Sequence, residues 1–356
     1  MRTGGRIALF LGAGASRPFG FPVTSEILPA LLARLRSGKL FGAGRHLTAR
    51  QAARDMRELR ALLRRFVPGL FRSPAAAPAV TDLLSLLDQL IVTGSAPQPD
   101  LGMTELSRLR LLLERGVAEV LAAPGRGVGV RRPKLMDRFA EWIEAQAFVS
   151  VISTNYDFAL EGRLLSRVAR EELPARVDFG LTWRPTEGGD GPHPRPQRPR
   201  LAIYKLHGSL NWLRCPLCEH VFIHPSAPIF RQSHQDRADG GNACTCGYAP
   251  LRHVLVAPSM VRDVRDPNLL GIWQSALEAL RTSDEWAIIG YSLPPEDLVI
   301  RSMLLRAYRG RARPPRVRVV QRRGDRDVEG RYRLLFPELT FDVRGVEGFV
   351  GSLRGL

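Results

Sequence analysis

The chain is expected to form an α/β fold: a Rossmann-like parallel sheet with helices on both faces, a helical insertion and a small zinc-ribbon module. Three observations predict it. Short apolar runs ending in glycine or polar turns alternate with helical stretches, as in a parallel sheet wound on both sides. A long leucine-rich stretch of helical period interrupts that alternation after the first strand. All four cysteines, Cys215, Cys218, Cys244 and Cys246, fall in one stretch as C-x2-C and C-x-C.

The elements follow in order. Arg6–Leu11 reads as a buried strand of a parallel sheet, running into the glycines of "FLGAGAS". Thr24–Arg36 reads as a helix with Thr24 or Ser25 as its cap and leucines at helical spacing. From Leu40 to Met136 the segments "ARDMRELRALLRRF", "VTDLLSLLDQLI" and "MTELSRLRLLLERGVAEVL" are helical, separated by Pro- and Gly-containing joints. Strand character returns at Phe148–Ser153, Leu201–Leu206, Val254–Ala257, Trp286–Gly290 and Val317–Gln321, with helices at Leu269–Arg281 and Pro295–Tyr308. Arg184 to Arg200 is a Pro/Gly/Arg surface loop. The expected division is residues 1–39, 137–210 and 251–356 for the sheet domain, 40–136 for the insertion and 211–250 for the zinc module.

A hydrophobic share of 44% over 356 residues belongs to a globular chain with room for a large core and a satellite module. No apolar run is long enough to span a membrane. The N-terminus resembles a signal peptide, but its apolar core is short and broken by Gly12 and Gly14, so the expected location is cytoplasmic. The net charge of +17 points toward nucleic acid, yet only Lys39, Lys134 and Lys205 among 52 basic residues are lysines. An excess of arginine beside abundant Ala, Gly and Pro fits coding bias in a GC-rich genome, so nucleic acid is a weakly supported partner.

Two close cysteine pairs in a reducing compartment read as a tetrahedral Zn2+ site rather than disulfides. Two labile thiol pairs are the alternative, and His220, His224 and His234 lie in the same loop, able to replace a cysteine.

Chemistry is expected at the strand ends. Gly12 and Gly14 allow close approach of the backbone to a diphosphate, with a following helix N-terminus favouring negative charge. "STNYD" ends the strand at Ser153: Asn155 can orient a water or a ribose hydroxyl, and Asp157 can accept from a hydroxyl, although each alone is also an ordinary turn or cap residue. His207 ends the strand Leu201–Leu206, where it is a candidate metal ligand, base or structural histidine. "IIGYSLPPED", Ile288 to Asp297, is a further strand end with a glycine and a polar turn. Together these ends are consistent with one cleft holding a dinucleotide.

In this order, "GAGAS" with "GFP", then "TNYD", "LHGS", the cysteine pairs and "GYSLPPED" resemble the sirtuin-like superfamily, from about Ile7 to Phe349. The resemblance implies NAD as substrate and structural zinc. It implies His207 as base on the nicotinamide ribose, Asn155 near the reacting C1′, and Asp157 supporting the nicotinamide and ribose pocket. Gly12, Ala13, Gly14 and Ser16 would line the diphosphate; Gly290, Ser292 and Leu293 would flank ribose and diphosphate; Gln321 would approach the adenine. Four cysteines then complete the zinc site, so His207 is not expected to be a zinc ligand.

The departures are specific. Where deacylases carry Asp-Phe-Arg after their glycine-proline turn, Pro22 leads to Val23-Thr24-Ser25, and "HVLVAPSMVRD", His253 to Asp263, has no counterpart of the segment that pairs with an acyl-lysine peptide. "TNYD" lacks a glutamine of the deacylase pattern. These features resemble a divergent bacterial branch associated with NAD destruction in antiphage defence. The expected activity is therefore an NAD+ glycohydrolase, an NADase of antiviral defence. The alternatives are a protein deacylase or ADP-ribosyltransferase, or a non-catalytic nucleotide-binding module. Control by homo-oligomer formation or a separately encoded partner is expected, with the insertion as lid, assembly surface or plain extension of the core.

Overall fold

Alternate side chains of the first strand, β1 (Ile7–Leu11), enter two different cores: Ala8 and Phe10 one, Ile7, Leu9 and Leu11 the other. That period of two is what a strand covered on both faces requires. The structure is a computed structural model and describes residues 5–72, 78–96, 101–124, 130–186, 191–234, 243–244, 246–247, 249–255, 267–322 and 324–353.

After β1 come the short helix α1 (Ala13–Ser16) and α2 (Thr24–Arg36). The expected Thr24 or Ser25 cap is displaced by one position: Val23 is the cap, and the Glu26 carboxylate accepts from its backbone N–H at 3.0 Å. The helices α3 (Ala49–Phe66), α4 (Val80–Thr93), α5 (Met103–Ala122) and α6 (Pro133–Glu144) lead to β2 (Val149–Ser153). Then follow α7 (Ala159–Leu165), α8 (Leu173–Arg176), β3 (Val177–Asp178), β4 (Trp183–Pro185), β5 (Leu201–Lys205), β6 (Gly208–Arg214), β7 (Val221–Ile223) and β8 (Arg252–Leu255). The chain closes with α9 (Pro267–Thr282), β9 (Glu285–Ile289), α10 (Leu298–Arg309), β10 (Arg316–Val320), α11 (Arg326–Leu335), β11 (Leu339–Asp342) and α12 (Gly345–Ser352).

Seven of these strands form one parallel sheet in the order β11-β10-β9-β1-β2-β5-β3. Setting aside the two-residue edge strand β3, this is the doubly wound order 3-2-1-4-5-6, whose switch point lies between β1 and β9. Helices α9, α10 and α11 pack on one face, and α6 and α12 on the other. Each fully buried Leu, Ile or Phe in these layers stabilises the fold by roughly 1.5–3 kcal/mol.

A second sheet has the order β4-β7-β6-β8, with β6 antiparallel to both β7 and β8. This corrects the expectation that the strand near Val254 joins the parallel sheet; residues 256–257 of that stretch lie outside the described residues. An apolar run carries no information about its partner, and here the partner is β6, which turns out of β5 at Gly208. Gly208 sits at φ +78°, and a Cβ there would lie 2.0 Å from the Val254 carbonyl oxygen, so only glycine permits the close crossing.

The third layer is helical. Leucines of α2, α3, α4 and α5 share one core with Tyr156, Leu210 and Phe230, whereas Met136, Phe139, Ala140 and Ile143 of α6 pack against the parallel sheet. Polar contacts fasten this bundle to the turn Phe230–His234 and to β8 of the second sheet. Arg231 donates to both carboxylate oxygens of Glu119 at 2.7 and 2.8 Å, Arg115 donates to the Ser233 carbonyl at 3.2 Å, and His253 Nε2 lies 3.4 Å from Glu114. Among the described residues no helix is long and apolar enough to cross a membrane.

Candidate active site

Two glycine loops meet at the switch point. Gly12 N–H donates to the Ile289 carbonyl at 3.0 Å and Gly14 N–H to the Gly290 carbonyl at 2.8 Å. Gly290 sits at φ +62°, and a Cβ on it would lie 2.1 Å from Ala15 N. The glycines after β1 and β9 therefore let two backbones touch, a demand the sequence presents as identical to that of a diphosphate loop.

Beside this crossing, the C-terminal ends of the strands open into a cleft of about 1470 Å³. Its lining includes Ala13 and Gly14 after β1, Asn155 and Asp157 after β2, His207 after β5, Gly290 and Ser292 after β9, and Gln321 after β10. From β5 to β11 there are five strand steps, about 24 Å at the usual strand spacing of about 4.8 Å. The cleft thus runs across the ends of several adjacent strands. Three of the expected residues stand elsewhere: Gly12, Ser16 and Leu293 are not among its lining residues. Gly12 is committed to the loop crossing, Ser16 hydrogen-bonds Asn155, and Leu293, at φ +50°, has its side chain wholly buried in the core.

Asn155 is a structural tie as well as a lining residue. Its Nδ2 donates to the Gly12 carbonyl at 2.9 Å and to Ser16 Oγ at 3.1 Å, joining the turn after β2 to the loop after β1. His207 is buried, with Nδ1 3.0 Å from the Thr154 carbonyl oxygen. A carbonyl only accepts, so Nδ1 carries the proton and Nε2 holds the basic lone pair of the neutral ring.

Asp157 is buried, and its Oδ1 accepts from the Ala159 N–H at 3.2 Å. Burial pushes its carboxyl above the usual range; Lys205 opposes that shift, Glu161 adds to it, and the Ala159 N–H and Ser16 hydroxyl oppose it. Lys205 and Glu161 are buried charged neighbours of Asp157 that motif reading missed. Lys205 Nζ donates to the Asp157 carbonyl and to Glu161 Oε1 at 2.8 Å, and both side chains are buried. A signal was available: a charged residue inside an apolar strand, in a chain with three lysines.

The bundle supplies another wall. Val80, Leu84, Glu114, Val117 and Leu121 of α4 and α5 line the same cleft as His207. Arg17, Arg131, Arg132 and Arg322 stand around it, with Arg132 paired to Glu347 and Arg17 to Glu26.

The four cysteine sulfurs lie within 4.8 Å of one another, with Cys215 and Cys246 3.5 Å apart and Cys218 and Cys244 3.6 Å apart. A tetrahedral ion with Zn–S bonds of about 2.3 Å sets its sulfurs about 3.8 Å apart, so the arrangement fits zinc. Burial resists ionisation of Cys215, yet backbone N–H groups of Cys218 and Leu217 bring its thiol down to about 7. No histidine is needed as a substitute ligand. His220 Nδ1 lies 3.1 Å from Cys218 Sγ, His224 Nδ1 accepts from the N–H groups of Ser226 and Ala227, and His234 packs against Phe41 and Phe230. His207, too, stands outside the cysteine group.

Fold and site together define a Rossmann-like α/β protein with an open cleft over the switch point and a four-cysteine module beside it. No family model matches the chain, and no curated protein matches it in sequence. Among solved structures it is similar to a Sir2 enzyme studied for mechanism and regulation, at 13% identity over 98% of this chain and 90% of that one, TM-score 0.44. It is also similar to a Sir2 homologue in complex with NAD, at 15% identity over 99% and 88%, TM-score 0.41. A Sir2 homologue variant bound to ADP-ribose matches at 15% over 99% and 91%, TM-score 0.39.

Proposed function

We propose that the protein is an NAD+ glycohydrolase, cleaving NAD to nicotinamide and ADP-ribose as an effector of antiviral defence. The observation that carries this is the convergence of His207, Asn155 and Asp157 in one cleft that runs across the strand ends. The order of motifs resembling the sirtuin-like superfamily supplies the chemistry.

Breaking the bond from C1′ to the nicotinamide nitrogen sends its electron pair to the ring and builds positive charge on the ribose. The buried Asp157 carboxylate is placed to stabilise that charge in a site shielded from solvent. A water attacks C1′ and loses a proton to His207 Nε2, whose lone pair is fixed by the Nδ1 contact to Thr154. Asn155 keeps the turn bearing Asp157 against the loop after β1, holding the reacting groups in one geometry. The adenosine half extends over Gly290, Ser292 and Gln321. The cysteine module holds zinc in a closed structural role; the metal stabilises the fold and takes no part in the reaction.

Water is favoured as the acceptor by the sequence "HVLVAPSMVRD", which does not resemble a peptide-pairing segment and of which residues 256–263 lie outside the described residues, and by the α4–α5 wall beside the site. Because free NAD hydrolysis is toxic to a cell, the activity is held in check by self-assembly or a separately encoded partner. Nicotinamide release by the purified chain, followed chromatographically with and without an acetyl-lysine peptide, tests the proposal. Nicotinamide and ADP-ribose in equal amounts without peptide support it. Release only with peptide, with an acetylated ADP-ribose, overturns it in favour of a deacylase.

A further inference from the structure

Beneath the cleft floor lies a pair of charges that the proposed reaction does not use. Lys205 points from the last position of β5, only 1% exposed, and meets Glu161 of α7, 5% exposed, at 2.8 Å. A lone buried ammonium or carboxylate is costly, and a buried pair is commonly no more stabilising than apolar residues of the same size. Stability alone therefore does not account for the pair.

Its geometry does. The Lys205 ammonium also donates to the main-chain carbonyl of Asp157, so one side chain grips the backbone of the turn after β2 and the first turn of α7. Asn155 grips the same turn from the opposite side, through Gly12 and Ser16. His207, two residues beyond Lys205, bonds the Thr154 carbonyl at the start of that turn. The segment from Thr154 to Asp157 is thus held by three side chains that each spend a polar group on it.

We propose that Lys205 and Glu161 are positioning residues: the buried pair locks the Asn155-Tyr156-Asp157 turn in place and so holds the Asp157 carboxylate at the cleft. This rests on the reading of the cleft as an NAD-cleaving site. The groups facing Asp157 are Lys205 from β5, Glu161 and the Ala159 N–H from α7, and the Ser16 hydroxyl from α1. The two charged neighbours act with opposite sign. Lys205 favours the ionised carboxylate and Glu161 disfavours it, and with both in place burial still leaves the Asp157 carboxyl raised.

Opposite signs give a signature that loss of packing cannot imitate. The experiment measures nicotinamide release from NAD across pH 5 to 9 for the full chain and for K205M, K205R, E161Q and K205M/E161L. K205M removes the cation, so the rise of kcat with pH moves to higher pH. E161Q removes the neighbouring anion, so it moves to lower pH. K205R keeps the charge and restores the wild-type profile in part. K205M/E161L melts at or near the wild-type temperature, because the pair leaves together, yet loses roughly tenfold or more in kcat through the released turn. Unaltered profiles in both single variants, or a fully active K205M/E161L, overturn the proposal. If the wild type binds NAD without cleaving it, the hydrolase reading fails. The positioning claim is then decided by calorimetric NAD affinity over the same pH range, with the same opposed shifts expected. If it neither binds nor cleaves NAD, both fail.

Discussion

His207 Nδ1 lies 3.0 Å from the carbonyl oxygen of Thr154, so the imidazole is oriented by the backbone of the turn that carries Asn155 and Asp157. The two strand ends, from β5 and from β2, are neighbours in the sheet, Ser153 pairing with Lys205. The His207 imidazole and the turn bearing the Asp157 carboxylate are therefore held by one hydrogen-bonded unit. Replacing His207 with alanine is expected to lower NAD cleavage by about 10²–10⁴-fold, the usual worth of a general base, while NAD affinity changes little. Single-turnover nicotinamide release beside calorimetric NAD binding separates these outcomes. Equal loss of binding and cleavage would reduce His207 to a structural residue.

Asn155 is expected to behave differently, because its amide supports the fold. Its Nδ2 contacts with Gly12 and Ser16 join two loops at the switch point. Asn155→Ala removes this donor from the Gly12 carbonyl, which keeps the Ala15 N–H at 2.9 Å, so the expected cost is about 0.5–1.5 kcal/mol for each lost hydrogen bond, in addition to any loss of turnover. Asn155→Asp costs at least as much, since it turns an acceptor toward that carbonyl. Chemical denaturation monitored by fluorescence gives the stability term independently of activity, and a wild-type midpoint for Asn155→Ala would contradict it.

How much of this could be read from the sequence depended on whether a feature was local. The strands ending at Leu11, Ser153 and Lys205 and the helix Thr24–Arg36 were legible because their apolar periodicity lies within a few consecutive residues. So was the cysteine group, whose spacing is itself the signal. The pairing of β8 with β6 was not, because nothing in an apolar run names its partner. The edge strands β3 and β11 are short and carry too little pattern. In the cleft, the strand-end residues singled out by their motifs are among the lining, whereas Gly12, Ser16 and Leu293 are not. A glycine admitting a second backbone and a glycine admitting a phosphate have the same sequence signature. Lys205 and Glu161 meet only in three dimensions, 44 residues apart in the chain.

Removing metal from the cysteine module should damage stability before chemistry. The sulfurs of Cys215 and Cys244 are buried beside Leu213, Ile229 and Leu251, so the module's small core is organised around them. One zinc per chain is expected by elemental analysis. Cys215→Ser, or a strong chelator, is expected to lower the melting temperature markedly, with cleavage at low temperature retained in the surviving folded fraction. Immediate loss of turnover on chelation, with no change in melting, would place the metal in the reaction instead.

The bundle is joined to the short turn Phe230–His234 by Glu119 and Arg231, and Glu119 is 0% exposed. Glu119→Gln removes the anion and leaves the partly exposed Arg231 guanidinium against a neutral group, with an expected loss of roughly 1.5–3 kcal/mol. Paired replacement of Glu119 and Arg231 by apolar residues of similar volume is expected to recover most of it. Denaturant midpoints for the two singles and the double form a cycle; additive losses would mean that the two residues act separately.

Stability should also fall in mild acid through His234. The imidazole is 3% exposed and lies against Phe41 and Phe230. Its pKa is held well below the usual value, first by burial and then by the charges of Arg115, His253 and Arg231. A depressed folded-state pKa means that the unfolded chain binds the proton more readily. The contribution of His234 is therefore intact above its ordinary pKa of about 6.5 and declines as pH drops below it, by up to about 1.4 kcal/mol per pH unit until the folded-state pKa is reached. Melting temperatures between pH 7.5 and 5 should decline for the wild type and decline less for His234→Gln, which has no proton to gain. Parallel curves for the two proteins would assign the acid sensitivity to other groups.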